Sequence, residues 1–260
     1  MAVSIKSERE IELMRTAGHY LGEILEKMCS YAKPGMTTAQ LNDYGDRLIR
    51  EKGCVPNFLN YEGFPGSFCL SVNEVVVHGI PSKKIVLKEG DLLSIDGGLI
   101  YKGYHSDAAR SLIVGGRECA SPEVLRLMDA TKESFFVGIA QAVAGNHLHD
   151  ISNAIADYIE PFGYGIIEDL TGHGIGRKLH EDPMIPNNRQ HSRGIRLKAG
   201  MTLAVEPMIS LGTWEVDFSE EDGWTCTTKD KKTAAHYENT ILVREGREPE
   251  ILTLPTSQEE

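Results

Sequence analysis

The stretch Asp91-Leu-Leu-Ser-Ile-Asp-Gly-Gly98 (DLLSIDGG) runs apolar through Leu92, Leu93 and Ile95, then sets a carboxylate, Asp96, where a buried strand should continue. A charge in such a place needs a partner or a cation. Comparing the chain with itself supplies a reason. Shifted by 110 residues, Lys88-Glu-Gly-Asp-Leu-Leu-Ser-Ile-Asp96 lies over Lys198-Ala-Gly-Met-Thr-Leu-Ala-Val-Glu206, so Asp96 falls on Glu206. The same shift sets Gly35, Leu41 and Ile49 on Gly145, Ile151 and Ile159, keeping helix and strand in one register. With a further 21 residues inserted, His105-Ser-Asp107 lies over His236-Tyr-Glu238, each followed by an apolar strand and a glycine, Gly115 or Gly246.

If the two halves pack about a pseudo-twofold axis, each brings two carboxylates on adjacent strands to one central place. Carboxylates beside glycine ordinarily just end strands or cap loops. Four at matching repeat positions are not accounted for in that way. At 4 Å and an effective dielectric of 20, each like-charge pair costs roughly 4 kcal/mol, so protons or cations must relieve the cluster. Two divalent cations would neutralise it, with short acidic side chains as bridges.

A nitrogen ligand also fits, and the best source is Thr171-Gly-His-Gly-Ile-Gly-Arg-Lys-Leu-His-Glu-Asp-Pro183, with Gly-flanked His173 and, seven residues on, His180. A third histidine, His78 in Val77-His-Gly-Ile-Pro81, repeats the HGI of His173-Gly-Ile175. His19, His147, His149 and His191 are read as core or surface residues. His105 and His236 are read as pointing to the opposite face from the carboxylates that follow them on the same strands.

Around these motifs the elements follow from local signals. Ser7 with Glu10 forms a capping box ahead of Ile11, Met14, Leu21, Leu25 and Met28, which predicts a long amphipathic helix. Thr37 with Gln40 opens a second helix presenting Leu41, Tyr44 and Leu48, and Ser121-Pro122-Glu123 opens another. Loops framing a strand are expected between Phe58 and Pro81, and strands near 91–96 and 107–114. The expected fold class is α+β, an internal pseudo-twofold repeat of helices on a curved antiparallel sheet. It forms one domain over 1–260, from halves of about 1–118 and 119–250 and a short tail, 251–260.

Composition narrows the function. The 260 residues, 41% of them apolar, suit a globular body. Charges in MAVSIKSEREIELM stand where a signal peptide would be apolar, and no apolar run nears the ~20 residues of a membrane span, so a cytoplasmic location without membrane contact is expected. The net charge of −11 disfavours nucleic acid as a direct partner. Five cysteines without a C-x-x-C pair read as reduced thiols. The chain has no GxSxG, HExxH or P-loop, and Cys69 reads as a buried structural thiol rather than a nucleophile.

These residues together resemble the type I methionine aminopeptidases, pita-bread (creatinase/aminopeptidase) members of metallopeptidase family M24. The resemblance spans nearly the whole chain. It rests on Asn60-Tyr-Glu-Gly-Phe-Pro65, Cys69-Leu-Ser-Val-Asn-Glu-Val-Val-Val-His-Gly-Ile-Pro81, Asp96 and Asp107 with ten residues between, HGIGRKLHEDP, Glu206-Pro-Met208 and Glu238. It implies that Asp96, Asp107, His173, Glu206 and Glu238 hold two divalent metals, Asp107 and Glu238 bridging. An oxygen-rich, one-histidine site of this kind accepts Co, Mn, Fe or Zn. It further implies removal of the N-terminal methionine of nascent polypeptides whose second residue is small and uncharged. A metal-bridging hydroxide would attack the first peptide bond, and a metal would take the free α-amine, whose pKa near ~8 makes deprotonation cheap.

In that scheme Glu206 is the general base and proton shuttle, and His78 and His180 contact the substrate and stabilise the reacting groups. Tyr61, Phe64, Cys69, Leu179 and Trp224 line an apolar slot for the methionine side chain. The chain's own Met1-Ala2 would qualify as a substrate. A monomer is expected, with transient ribosome contact that no segment itself displays.

Two departures from the family pattern bear on the pocket: Gly97-Gly98 after the first aspartate, where an apolar residue is commoner, and Leu179, where phenylalanine is common. An Xaa-Pro peptidase of the same fold is therefore the rival enzyme, although LIYKGYHSD resembles it only faintly and the chain opens at the first helix of the catalytic domain. Only 32 residues separate His173 from Glu206, too few for the type II insertion. A non-catalytic binding module is the rival of another class, disfavoured because all five ligands stand.

Overall fold

The computed structural model describes residues 3–255. The Met1-Ala2 start and residues 256–260 of the expected tail lie outside the described residues. Among the described residues four α-helices form, α1 (Glu8–Tyr31), α2 (Thr38–Glu51), α3 (Pro122–Ile139) and α4 (Leu148–Ile159). The strands are β1 (Val55–Pro56), β2 (Phe68–Val72), β3 (Val75–Val77), β4 (Leu92–Tyr101), β5 (Tyr104–Ile113), β6 (Gly165–Ile166), β7 (Gly172–Gly174), β8 (Glu181–Ile185), β9 (Thr202–Val205), β10 (Met208–Ser210), β11 (Val216–Phe218), β12 (Cys226–Thr228), β13 (Ala234–His236), β14 (Glu238–Leu242) and β15 (Glu250–Ile251).

The helix starts obey the capping signals. The Ser7 backbone N–H donates to the Glu10 carboxylate at 2.9 Å, and Thr37 Oγ1 accepts from the Gln40 N–H at 3.2 Å while Thr37 N–H donates to Gln40 Oε1 at 2.9 Å. Ser121 Oγ caps α3 through the Val124 N–H, and Pro122, which has no N–H to satisfy, follows it.

One antiparallel sheet dominates, in the order β1-β4-β5-β14-β9-β7-β8, with β2 also on β4 and β15 also on β14. Its middle four strands, β4-β5 and β14-β9, are the two repeat-related pairs placed back to back, and the halves meet where β14 pairs β5 through Glu238↔Ala109 and Asn239↔Ala108. Each half buries the helices that precede its strands. Leu21, Leu25, Leu41 and Ile49 pack with Leu93 and Ile95 in the first, and Phe135, Ile151 and Ile155 pack with Leu203, Val205 and Ile241 in the second. This antiparallel sheet with two helices per half is the α+β arrangement expected.

Strand β4 runs further than expected, through Gly97 and Gly98 to Tyr101, before turning at Lys102-Gly103, both at positive φ, into β5. The glycines do not end the strand; they make room on it. A Cβ at Gly97 would meet Phe68 Cδ1 at 2.1 Å, and one at Gly98 would meet Asn57 Nδ2 at 2.3 Å. Phe68, fully buried, occupies the space that a larger residue at 97 would take.

The segment expected to be a tail from 251 begins as structure. Leu252 and Thr253 are fully buried, and Thr253 Oγ1 donates to Asn239 Oδ1 at 2.8 Å. Residues 252–255 lie against the glycine face of α1, where a Cβ at Gly18 would meet Leu252 O at 2.1 Å and one at Gly22 would meet Leu254 C at 2.7 Å. Arg110 ties this segment to both halves, donating to the Glu238 carbonyl at 2.7 Å, to Asn239 Oδ1 at 2.7 Å and to the Thr253 carbonyl at 3.0 Å. Apolar side chains alone could not tie main chain this way, because carbonyls taken out of water need donors.

Candidate metal centre

The sheet brings the repeat carboxylates together. Asp96, on β4, lies between Cys69 of β2 and Ala109 of β5. Asp107 lies opposite Gly98 on β5, Glu238 opens β14 at the junction of the halves, and Glu206 directly follows β9. His173, at the centre of β7, pairs with Ala204 of β9. Asp96, Asp107, His173 and Glu238 are buried, and Glu206 nearly so.

His173 Nδ1 lies 2.9 Å from the Gly174 carbonyl, which fixes the ring and aims Nε2 at the carboxylates. That nitrogen is 3.8 Å from Asp107 Oδ2 and 3.7 Å from Glu206 Oε1. Asp107, His173 and Glu238 each offer a ligand atom within 4.8 Å of the others.

The electrostatics are those of an acidic cluster in a dry place. Burial pushes Asp96 up to about 8. Burial also raises Asp107 well above the carboxylate range, with Asp96 and Glu206 adding to the effect, and raises Glu206 and Glu238 in the same way through their acidic neighbours. Burial lowers His173 to about 3, so its imidazole is neutral and has a lone pair to give. Asp96 Oδ1, Asp107 Oδ1 and Glu238 Oε1 are buried with no hydrogen-bond partner. Crowded, orphaned oxygens beside a neutral imidazole fit hard or borderline divalent cations.

His236 overturns an expectation. It does not face away from the carboxylates: its Nε2 stands 3.6 Å from Glu206 Oε2 and 4.0 Å from Glu238 Oε2, and Glu206, His236 and Glu238 form a second group of ligand atoms within 4.8 Å. His236 ends β13 and Glu238 opens β14, strands of two different sheets, so alternation along a single strand does not fix their relation. His105, its counterpart in the repeat, enters neither ligand group.

The centre lies in a cavity of about 310 Å³ that all the other expected site residues also line. Tyr61 Oη lies 2.8 Å from His180 Nδ1, and the His180 ring meets that of His173 edge-on at 4.3 Å. Trp224 packs edge-on to Phe64 at 5.2 Å and to His78 at 5.9 Å. His78 takes φ 58°, a left-handed conformation rare for a side chain of this kind and found more often at functional sites.

Burial lowers both His78 and His180; His180 adds to the effect on His78, while Glu62 opposes it on His180. Cys69 borders the cavity, but burial and the acidic cluster raise its thiol well above the usual value, so it supplies no thiolate. Leu179, only 2% exposed, lines the cavity, whereas Gly97 and Gly98 do not. The sequence reading missed Phe58, Leu170 and Met208 among the apolar walls.

Fold and ligand groups together define a metallopeptidase: residues 12–245 match Metallopeptidase family M24, and the chain belongs to that family. Within it, the similarity is to methionine aminopeptidases of the bacterial type. The chain is 49% identical over 252 residues to the methionine aminopeptidase of Clostridium acetobutylicum, covering 97% of this chain and 99% of that one. It superposes on the methionine aminopeptidase of Rickettsia prowazekii with a TM-score of 0.93 at 40% identity, over 97% of this chain and all of the other. The prolidase of Pyrococcus furiosus shares the fold at a TM-score of 0.74 and 22% identity, with 96% of this chain matching 65% of that one.

Proposed function

We propose that this chain removes the N-terminal methionine from polypeptides whose second residue is small and uncharged, acting as a monomer on nascent chains in the cytoplasm. The observation that carries the reading is the buried group of Asp96, Asp107, His173, Glu206 and Glu238 on the floor of a cavity walled by Tyr61, Phe64, Leu179 and Trp224. Those five residues would hold two divalent cations, and Co, Mn, Fe and Zn all suit the donor set. When bound, such ions lower the pKa of water and polarise a carbonyl.

The chain's own groups would do the rest. Glu206, which lines the cavity beside the other carboxylates, takes a proton from the attacking water and passes it to the leaving amine. His78 and His180, kept neutral by burial, donate N–H to the substrate carbonyl and hold the peptide in line. Tyr61 holds the His180 ring through Nδ1. Phe64, Cys69, Leu179 and Trp224 offer an apolar wall to an unbranched thioether side chain.

The test is hydrolysis of Met-Ala-Ser by metal-stripped protein before and after divalent metal is restored, with Glu206→Gln beside it. Activity returning with metal, and lost about 100-fold or more in Glu206→Gln, is the expected result. Cleavage of Xaa-Pro peptides but not Met-Ala-Ser would replace this reading with the prolidase-like one.

A further inference from the structure

The acidic group has one buried imidazole more than the proposed ligand set uses. His236 is 1% exposed, and neither of its ring nitrogens has a hydrogen-bond partner. A ring with both polar atoms dry and unpartnered is rare unless something else binds it.

Its aim is set by the main chain. The His236 N–H donates to Ser111 Oγ at 3.2 Å, Ser111 Oγ donates to the His236 carbonyl at 2.8 Å, and β13 holds the residue opposite Met208 of β10. Its Nε2 therefore meets Glu206 and Glu238 as a consequence of sheet register.

The distances match those of the other histidine. His173 Nε2 is 3.8 and 3.7 Å from its two carboxylate oxygens, and His236 Nε2 is 3.6 and 4.0 Å from its own. All four are too long for hydrogen bonds. Two donors each about 2.1 Å from one ion, and roughly 110–140° apart around it, lie about 3.4–3.9 Å from each other. The two rings flank Glu206, one facing each oxygen.

We propose that His236 is a sixth protein ligand of the centre and brings it a second imidazole nitrogen. The inference rests on the metal reading given above. A second imidazole moves the donor set away from the all-oxygen type preferred by Mg and Mn and toward Fe, Co and Zn.

The test is X-ray absorption of the full chain loaded with two equivalents of cobalt. Imidazole scattering amounting to about one ring per cobalt is expected if His173 and His236 both bind, and about half a ring per cobalt if His173 binds alone. His236→Gln should reduce the wild-type value to about half and weaken zinc binding relative to manganese by about tenfold or more. Half a ring per cobalt in the wild type, or a value unchanged in a folded His236→Gln, overturns the proposal and leaves the metal reading standing. A wild-type chain that takes up no cobalt overturns both. If His236→Gln fails to fold, the wild-type value decides.

Discussion

Tyr61 Oη stands 2.8 Å from His180 Nδ1, joining the loop at Tyr61–Gly63 to the glycine-rich segment that carries His173. Burial raises the tyrosine and lowers the histidine, so both partners of this hydrogen bond are neutral and the bond holds the His180 ring in place. Tyr61→Phe frees that ring to turn. A net hydrogen bond of about 1 kcal/mol corresponds to about a fivefold loss in kcat/KM on Met-Ala-Ser. An unchanged value would mean that His180 does not touch the substrate.

Metal-stripped protein should lose stability as the pH rises. Asp96 titrates at about 8 in the folded chain, against 3.8 ordinarily, and its three acidic neighbours are raised too. A raised folded pKa contributes stability that is complete below the ordinary value and is lost as pH climbs through the folded one. Between pH 7 and 8, above the range in which the lowered histidines act in the opposite sense, the Tm of the stripped chain should fall by about 5 °C or more, and divalent metal should restore it most at pH 8. Differential scanning calorimetry decides; a rise in Tm over that range would count against the buried cluster.

Phe68 and Gly97 exchange volume across β2 and β4, which makes them a coupled pair. Gly97→Val alone forces the Phe68 ring aside, at about 2 kcal/mol. Phe68→Val alone opens a cavity at about the same cost. The double variant should lose less than the sum by about 1 kcal/mol or more in urea unfolding, and strict additivity would show that the two do not share that space. Because neither glycine lines the cavity, peptide selectivity should not change.

Gly18→Ala tests the contact between α1 and the end of the chain. Its methyl would fall on the Leu252 carbonyl, so the gain in helix propensity is outweighed and the protein should be destabilised by about 1–3 kcal/mol. A stabilised variant would mean that residues 252–255 do not pack there.

Helix starts were readable because a cap is a local event: Ser7 with Glu10, Thr37 with Gln40, and Ser121 before Pro122 each satisfy backbone donors within four residues. The repeat made β4, β5, β9 and β14 readable, since two copies of one pattern constrain each other. Strands of two or three residues, such as β6, β10 and β13, were not, because so short a run has no period.

Gly97 and Gly98 misled at the end of β4 because a missing side chain marks a turn or a close neighbour equally well, and the neighbour, Phe68, is distant in sequence. His236 was misplaced for a different reason: it ends β13 whereas Glu238 opens β14 in another sheet, so no single strand's alternation relates the two.

The clasp made by Arg110, Thr253 and the glycine face of α1 joins parts of the chain that lie far apart in sequence. The helix α1 has its cover in residues 252–255, and the seam between the halves is tied by the same guanidinium. One contact therefore serves two interfaces, and its loss would loosen both together.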